Sequence, residues 1–271
     1  MLGRVSRALA LDSGCPMNTV TKHTIRLPSG EKIALDWLSP AAADGNVAVF
    51  VHGLGSHRRG EKAVHIAERF RKLGWGFLSL DLRGHGESDG AMQNLSLSHC
   101  LEDLEAAIAW MPEGKVPRLL IGSSMGGAVV LWFGLRHPDP DRQVALIAPS
   151  LHFPGRFADL EPSEIEEWKQ TGLRRFVSEW IDLKIGYGLV EDGANYRYER
   201  LVRDHMATTL ILHGMDDRAV PWRESVAFAE QTRAGKVDLL LIKDGDHRMT
   251  AQKDYLFDAI ASWLRATGLM L

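Results

Sequence analysis

Residues 120–127 read Leu-Ile-Gly-Ser-Ser-Met-Gly-Gly, which flanks Ser124 with Gly122 and Gly126 two positions away on either side. A strand-like run precedes this serine and a helical pattern follows it. A serine on such a sharp turn projects its hydroxyl, and glycines at those flanking positions leave room for the bend. A hydroxyl is a weak nucleophile at neutral pH, so it needs a base, and the base needs an orienting acid. Two later stretches supply these types. His213-Gly-Met-Asp216-Asp217-Arg-Ala-Val-Pro221 carries two carboxyls, and Asp244-Gly-Asp246-His247 carries an imidazole. The chemistry of such a set is acyl transfer. Ser124 attacks a carbonyl, His247 takes its proton, and Asp216 or Asp217 fixes the imidazole. The oxyanion that forms needs N–H donors. Met125, next after the serine, offers one, and Leu54 in the loop His52-Gly53-Leu54-Gly55 offers another.

These residues must be gathered by a scaffold, and the pattern of elements supplies one. Residues 23–27 and 32–38 alternate in polarity around Pro28-Ser-Gly30 and read as a hairpin. Residues 47–51 are apolar and mostly β-branched without alternation, as in a strand buried on both faces. Similar runs recur at 76–80, 118–121, 143–148, 208–212 and 237–242, with helical stretches in most of the gaps and an amphipathic helix at 253–264. Alternating strand and helix predicts an α/β fold with a mostly parallel sheet and helices on both faces. Ser124, Asp217 and His247 each fall just after a strand, which places all three at the sheet's carboxyl edge.

One segment breaks the rhythm. Residues at about 151–206 contain no strand-like run, a gap far longer than ordinary connections. Pro162 to Trp168 opens a helix. Leu173, Phe176, Val177, Trp180 and Ile181 recur at spacings of three and four, which predicts a second helical stripe. The segment therefore reads as a small helical cap. Its aromatics Phe153, Trp168, Phe176 and Trp180, with Trp222 beyond it, are expected to line an apolar substrate pocket. Arg174 and Arg175 read as solvated surface.

The motifs together resemble the α/β-hydrolase fold over about residues 22–267: His52-Gly53, Asp81-Leu-Arg-Gly-His-Gly-Glu-Ser88, Gly122-Ser-Ser-Met-Gly126, His213-Gly-x-x-Asp217-x-x-Val-Pro221 and Asp246-His247. The strings Gly-Ser-Ser-Met-Gly-Gly127, His-Gly-Met-Asp-Asp-Arg-Ala-Val-Pro-Trp222 and Asp-His-Arg-Met249 resemble, within that fold, the mitochondrial palmitoyl-protein thioesterase branch. Members of that branch are similar to acyl-protein thioesterases and also hydrolyse acyl-glucuronide esters. The resemblance implies Ser124 as nucleophile, His247 as base and Asp217 as acid, four positions after the histidine of His-Gly, with Asp216 as the alternative. It implies Leu54 and Met125 as oxyanion donors and no cofactor. The expected function is cleavage of carboxylic esters or thioesters with a lipophilic acyl or alcohol group. C–C bond or lactone hydrolysis with the same residues, and a non-catalytic binding protein of this fold, stand as alternatives. A haloalkane dehalogenase is disfavoured because serine occupies the turn where that chemistry needs aspartate.

Composition narrows the remaining classes. The chain has 271 residues, 45% hydrophobic and 25% charged, with a net charge of −3. That mix excludes global disorder, and the charge gives no sign of a nucleic-acid partner. A small-molecule or acylated substrate is the expected partner, and oligomeric state is not legible. Glu61-Lys62 follows Gly60 where a phosphate loop needs Lys-Ser/Thr, so nucleotide binding is not expected. The 11 histidines include no HExxH, so no metal is expected. No run of apolar residues is long enough for a membrane span. Cys15 and Cys100 make no metal or disulfide spacing, and with no signal-peptide pattern a reducing, cytoplasmic location is expected. Residues 1–16 read as a disordered extension ahead of a domain covering residues 17–271.

Overall fold

The computed structural model describes residues 19–112 and 114–270. The extension expected over residues 1–16, with Cys15, lies outside them. Strands β1 (Val20–Arg26) and β2 (Lys32–Leu38) form the expected hairpin. Then come β3 (Val47–Val51), α1 (Glu61–Lys72), β4 (Gly76–Leu80), α2 (Leu97–Trp110), β5 (Pro117–Ser123), α3 (Met125–Arg136) and β6 (Gln143–Ile147). After an intervening segment, β9 (Thr209–Gly214), α7 (Trp222–Gln231), β10 (Val237–Ile242) and α8 (Lys253–Ala266) complete the order. The sheet has eight strands in the order β1-β2-β4-β3-β5-β6-β9-β10. From β4 to β10 all neighbours run parallel, and β2 joins β4 antiparallel. This is an α/β-hydrolase fold.

Burial on both faces explains why the central strands lack polar alternation. In β3, Val47, Val49 and Val51 belong to one core, whereas Ala48 and Phe50 belong to the other. The first core takes Leu101 and Leu104 of α2 and Val129 and Trp132 of α3. The second takes Ile66 and Phe70 of α1 and Phe257 and Ile260 of α8, with the Phe70 and Phe257 rings edge to face at 5.1 Å. A fully buried side chain of this size contributes about 1.5–3 kcal/mol, so the site rests on a stiff, doubly covered platform.

Between β6 and β9 the chain makes a short 3-10 turn (Gly155–Asp159), α4 (Pro162–Thr171), β7 (Leu173–Val177), β8 (Asp182–Gly186), α5 (Gly188–Gly193) and α6 (Tyr198–Asp204). The helical stripe expected over 173–181 is corrected here: it is an antiparallel hairpin, with Leu173 opposite Gly186 and Val177 opposite Asp182. The physical reason is Gly172. It adopts a left-handed conformation (φ 73°) and caps α4, so no helix continues past it. Leu173 and Val177 point to solvent on one face of β7, while Phe176 turns inward on the other. Arg175 pairs across the hairpin with Asp182, and Arg174 pairs with Glu164. Among the described residues, no helix is long and apolar enough to cross a membrane.

Candidate active site

Ser124 follows the last residue of β5 and immediately precedes α3. Its backbone sits at φ 53°, ψ −118°, outside the regions open to L-residues at low cost. Such strain costs about 1–3 kcal/mol and persists only where the surroundings enforce it. Here the Ser124 N–H donates to the Ile147 carbonyl at 3.0 Å, and the Ser124 carbonyl accepts from Gly127 and Ser150 at 2.9 and 3.0 Å. Close approach explains both flanking glycines. A Cβ on Gly126 would collide with the Val51 carbonyl of β3, and one on Gly122 with the Gly126 carbonyl.

The strain aims the hydroxyl at an imidazole. Ser124 Oγ lies 3.0 Å from His247 Nε2. On the other side of the ring, His247 Nδ1 donates to Asp217 Oδ2 at 2.7 Å. His247 comes from the loop after β10 and Asp217 from the loop after β9, so the carboxyl ends of three parallel strands converge. Asp217 is held by more than His247. Its Oδ1 accepts from the Ala219 and Val220 amides, each at 2.8 Å, and its Oδ2 accepts from His213 Nε2 at 3.1 Å. Burial alone would raise this carboxyl. The hydrogen bonds from His213 and His247, the His247 charge and the Val220 amide outweigh it and hold the group far below the usual carboxylate range. Asp216 points away: its side chain is 63% exposed and its ion-pair partner is Arg218 at 3.6 Å.

His213, which the sequence reading used only as a landmark, braces Asp217. It is fully buried, and its Nδ1 meets Ser225 Oγ of α7 at 2.7 Å. Its spacing of four before Asp217 was the signal available. His52 plays a similar part in the loop after β3. Its Nε2 accepts from the Leu82 amide at 3.1 Å, so its Nδ1 carries the proton donated to the Gly53 carbonyl at 2.7 Å. Burial, with the neighbouring His85, pushes His52 down to about 3, so the ring stays neutral and its tautomer fixed. That fixes the loop bearing Leu54. Among the described residues, the Leu54 and Met125 amides have no hydrogen-bond partner. The same loop is tied farther along by Arg58, whose backbone N–H donates to Asp81 Oδ1 at 2.6 Å and whose guanidinium pairs with Asp81, Asp36 and Glu87.

A cavity of about 290 Å³ opens on Ser124 and His247. Phe153, Phe176 and Trp180 line it, as expected, together with the oxyanion candidates Leu54 and Met125. So do Phe157, Ile181, Lys62, Ser123 and Arg248, which the sequence reading did not assign to a pocket. Trp180 lies over the His247 ring at 5.9 Å between centroids. Two expected lining residues are corrected. Trp168 is buried behind the wall, its ring packed edge on to Phe157 and Phe176 and its indole N–H donated to the Ile185 carbonyl at 3.0 Å. Trp222 begins α7 outside the cavity, with the Arg223 guanidinium 4.2 Å from its ring centre. No cluster of three or more metal-ligating side chains occurs among the described residues.

Comparison with known proteins fits this architecture. The family model described as serine aminopeptidase, S33 matches residues 42–184. The mouse mitochondrial palmitoyl-protein thioesterase ABHD10 is 27% identical over 215 residues, 76% of this chain and 70% of that one. A monoacylglycerol lipase of Mycolicibacterium smegmatis is 32% identical over 138 residues, 50% of this chain and 49% of that one. Among solved structures, a putative hydrolase from Agrobacterium vitis superposes with a TM-score of 0.79 at 28% identity, covering 90% of this chain and 98% of that one. Mouse alpha/beta hydrolase domain-containing protein 10 also scores 0.79, at 24% identity, over 91% of this chain and 99% of that one. The expected cytoplasmic location is corrected by these relatives, since the thioesterases among them are named as mitochondrial. Low cysteine use does not separate one reducing compartment from another. The matched segment spans β3, Ser124 and most of the hairpin, and the chain belongs to the serine aminopeptidase S33 family of α/β hydrolases.

Proposed function

We propose that this hydrolase cleaves carboxylic esters or thioesters bearing a lipophilic acyl or alcohol group, through an acyl-enzyme on Ser124. The observation that carries the reading is the unbroken hydrogen-bonded line from Ser124 through His247 to Asp217, opening into an apolar cavity. Substrate enters with its carbonyl oxygen toward the Leu54 and Met125 amides. Ser124 Oγ attacks the carbonyl carbon as His247 Nε2 takes the hydroxyl proton. The two amides hold the oxyanion, and a donor of this kind is worth roughly 2.7–4 kcal/mol in the barrier. Asp217 keeps the Nδ1 proton in place, so that Nε2 is free to accept, and it stabilises the imidazolium. His247 then protonates the leaving oxygen or sulfur. Water, activated by the same imidazole, attacks the acyl-enzyme and releases the acid. No step draws on a cofactor.

In this reading residues at about 151–206 form a cap over the site, contributing Phe153, Phe157, Phe176 and Trp180 to the acyl-binding wall. The thioesterase and lipase names of the relatives agree with an acylated substrate. A fluorophosphonate probe tests the nucleophile. It should label the wild-type chain on Ser124 and leave Ser124→Ala unlabelled; labelling that persists in the variant refutes the assignment.

A further inference from the structure

The cavity has walls of two kinds. The hairpin and the segment before it give Phe153, Phe157, Phe176 and Trp180. The start of α1 and the loop after β10 give Gly60, Glu61, Lys62, Arg248 and Thr250, joined by Ser123, and the Glu61 carboxylate is paired with Lys253. The second wall carries two cations, and among the described residues neither Lys62 nor Arg248 has a carboxylate within 4.0 Å. Lys62 is instead held by donating from Nζ to Ser123 Oγ at 3.0 Å.

Position makes this wall chemical rather than incidental. Ser123 directly precedes the nucleophile, and consecutive Cα atoms lie only about 3.8 Å apart. The Lys62 ammonium lines the same cavity as Ser124 and His247. Arg248 follows the general base in sequence. Burial, and next the Arg248 charge, push the Lys62 ammonium down to about 8, while Asp246 and Asp217 draw it back up. Lys62 reaches the cavity from α1, and Arg248 reaches it from the loop that carries His247. A base that protonates the leaving atom has the leaving group on its own side. At this wall Gly60 caps the 12-residue helix α1 without a side-chain acceptor, and Glu61 in its first turn is paired with Lys253.

We propose that Lys62 and Arg248 form an anion subsite for the leaving group, so that the enzyme favours esters and thioesters whose alcohol or thiol carries a negative charge a few bonds from the scissile bond. The apolar wall takes the acyl chain and the cationic wall takes the charged alcohol or thiol. This rests on the serine-hydrolase reading above and names the substrate class for it. Lys62 and Arg248 act as specificity residues, and neither takes part in bond making.

The test compares octanoyl thioesters of 3-mercaptopropionate, 2-mercaptoethanesulfonate and the neutral 2-mercaptoethanol, which share one acyl chain. In the wild-type enzyme kcat/KM should be at least about tenfold higher for the anionic thioesters, the low end for a hydrogen bond to a charged group. The ratio of anionic to neutral turnover should fall toward one in Lys62→Met combined with Arg248→Met, and Lys62→Arg should keep most of it. A preference for both anions, or for the carboxylate alone, supports the subsite and distinguishes general charge from carboxylate recognition. Turnover of the neutral thioester with no anionic preference in the wild type overturns the subsite and leaves the hydrolase reading standing. So does a preference that survives in the double variant. Failure to turn over any of the three overturns both.

Discussion

Replacing Asp217 by asparagine tests the site more sharply than removing the nucleophile, because it changes proton placement while keeping shape. Asp217 accepts four hydrogen bonds: two at Oδ1 from the Ala219 and Val220 amides and two at Oδ2 from His213 and His247. An asparagine carbonyl can take over the first pair. Its NH2 group then faces two imidazole nitrogens that both donate in the wild type. His247 must turn over its tautomer, with Nδ1 accepting and Nε2 carrying the proton. Nε2 then donates to Ser124 Oγ instead of accepting from it, and the base is lost. The expected fall in kcat is about 10⁴-fold, the size seen when a triad acid is replaced in this way, equivalent to about 5.4 kcal/mol at about 1.36 kcal/mol per tenfold. Asp216→Asn is the internal control. Its side chain is 63% exposed and meets only Arg218, so its effect should stay within about 0.5 kcal/mol. Both variants are assayed on p-nitrophenyl octanoate at pH 8, with thermal melts to confirm folding. If Asp216→Asn is the more damaging change, or if folded Asp217→Asn keeps kcat within tenfold of wild type, the assignment is wrong.

Trp180→Ala should lower kcat/KM for p-nitrophenyl octanoate by about tenfold while changing the acetate ester less, since a few buried methylenes at about 0.8 kcal/mol each are at stake. Trp222→Ala should leave both esters within twofold, and a larger loss there would return that ring to the pocket. The pH dependence of stability has a definite sign. Burial lowers His52 to about 3 and His205 to about 4, below their unfolded value of about 6.5. Their contribution is therefore complete above about pH 6.5 and is lost as the pH falls toward the folded values, at up to about 1.4 kcal/mol per pH unit for each. Urea unfolding at pH 6.5, 5.5 and 4.5 measures this. His205→Gln should flatten the fall relative to wild type, and an unchanged slope would refute it.

The site was legible because its chemistry demands residue types at fixed spacings. Gly122 and Gly126 are required by a collision with backbone, which leaves a mark in the sequence whatever surrounds them. The strands of the sheet were legible because burial on both faces removes polar residues from them. The hairpin was not. Leu173, Phe176, Val177, Trp180 and Ile181 mimic a helical stripe, yet Leu173 and Val177 are exposed and Trp180 and Ile181 belong to the turn region. Gly172, in its left-handed cap, is the one local mark that the helix stops before this stripe begins. Trp168 and Trp222 failed for a related reason. A large aromatic near a site in sequence either lines it or braces the wall behind it, and only three-dimensional packing separates the two. Ser225, bonded to His213, and Ser123, bonded to Lys62, lie twelve and sixty-one positions from their partners, and no local pattern announces either pair.

The hairpin β7–β8 reaches the loop that carries Leu54: a Cβ built on Gly55 would strike the Ile181 side chain. The hairpin begins right after the Gly172 cap and pairs only within itself. Substrate range and catalytic competence thus meet at one contact. A lineage can exchange the hairpin's turn and so trade one acyl group for another, leaving Ser124, Asp217 and His247 untouched. A turn that removes the branched side chain of Ile181 from Gly55 would also loosen the loop bearing Leu54, so on the proposed function acyl preference and oxyanion stabilisation are coupled at this contact.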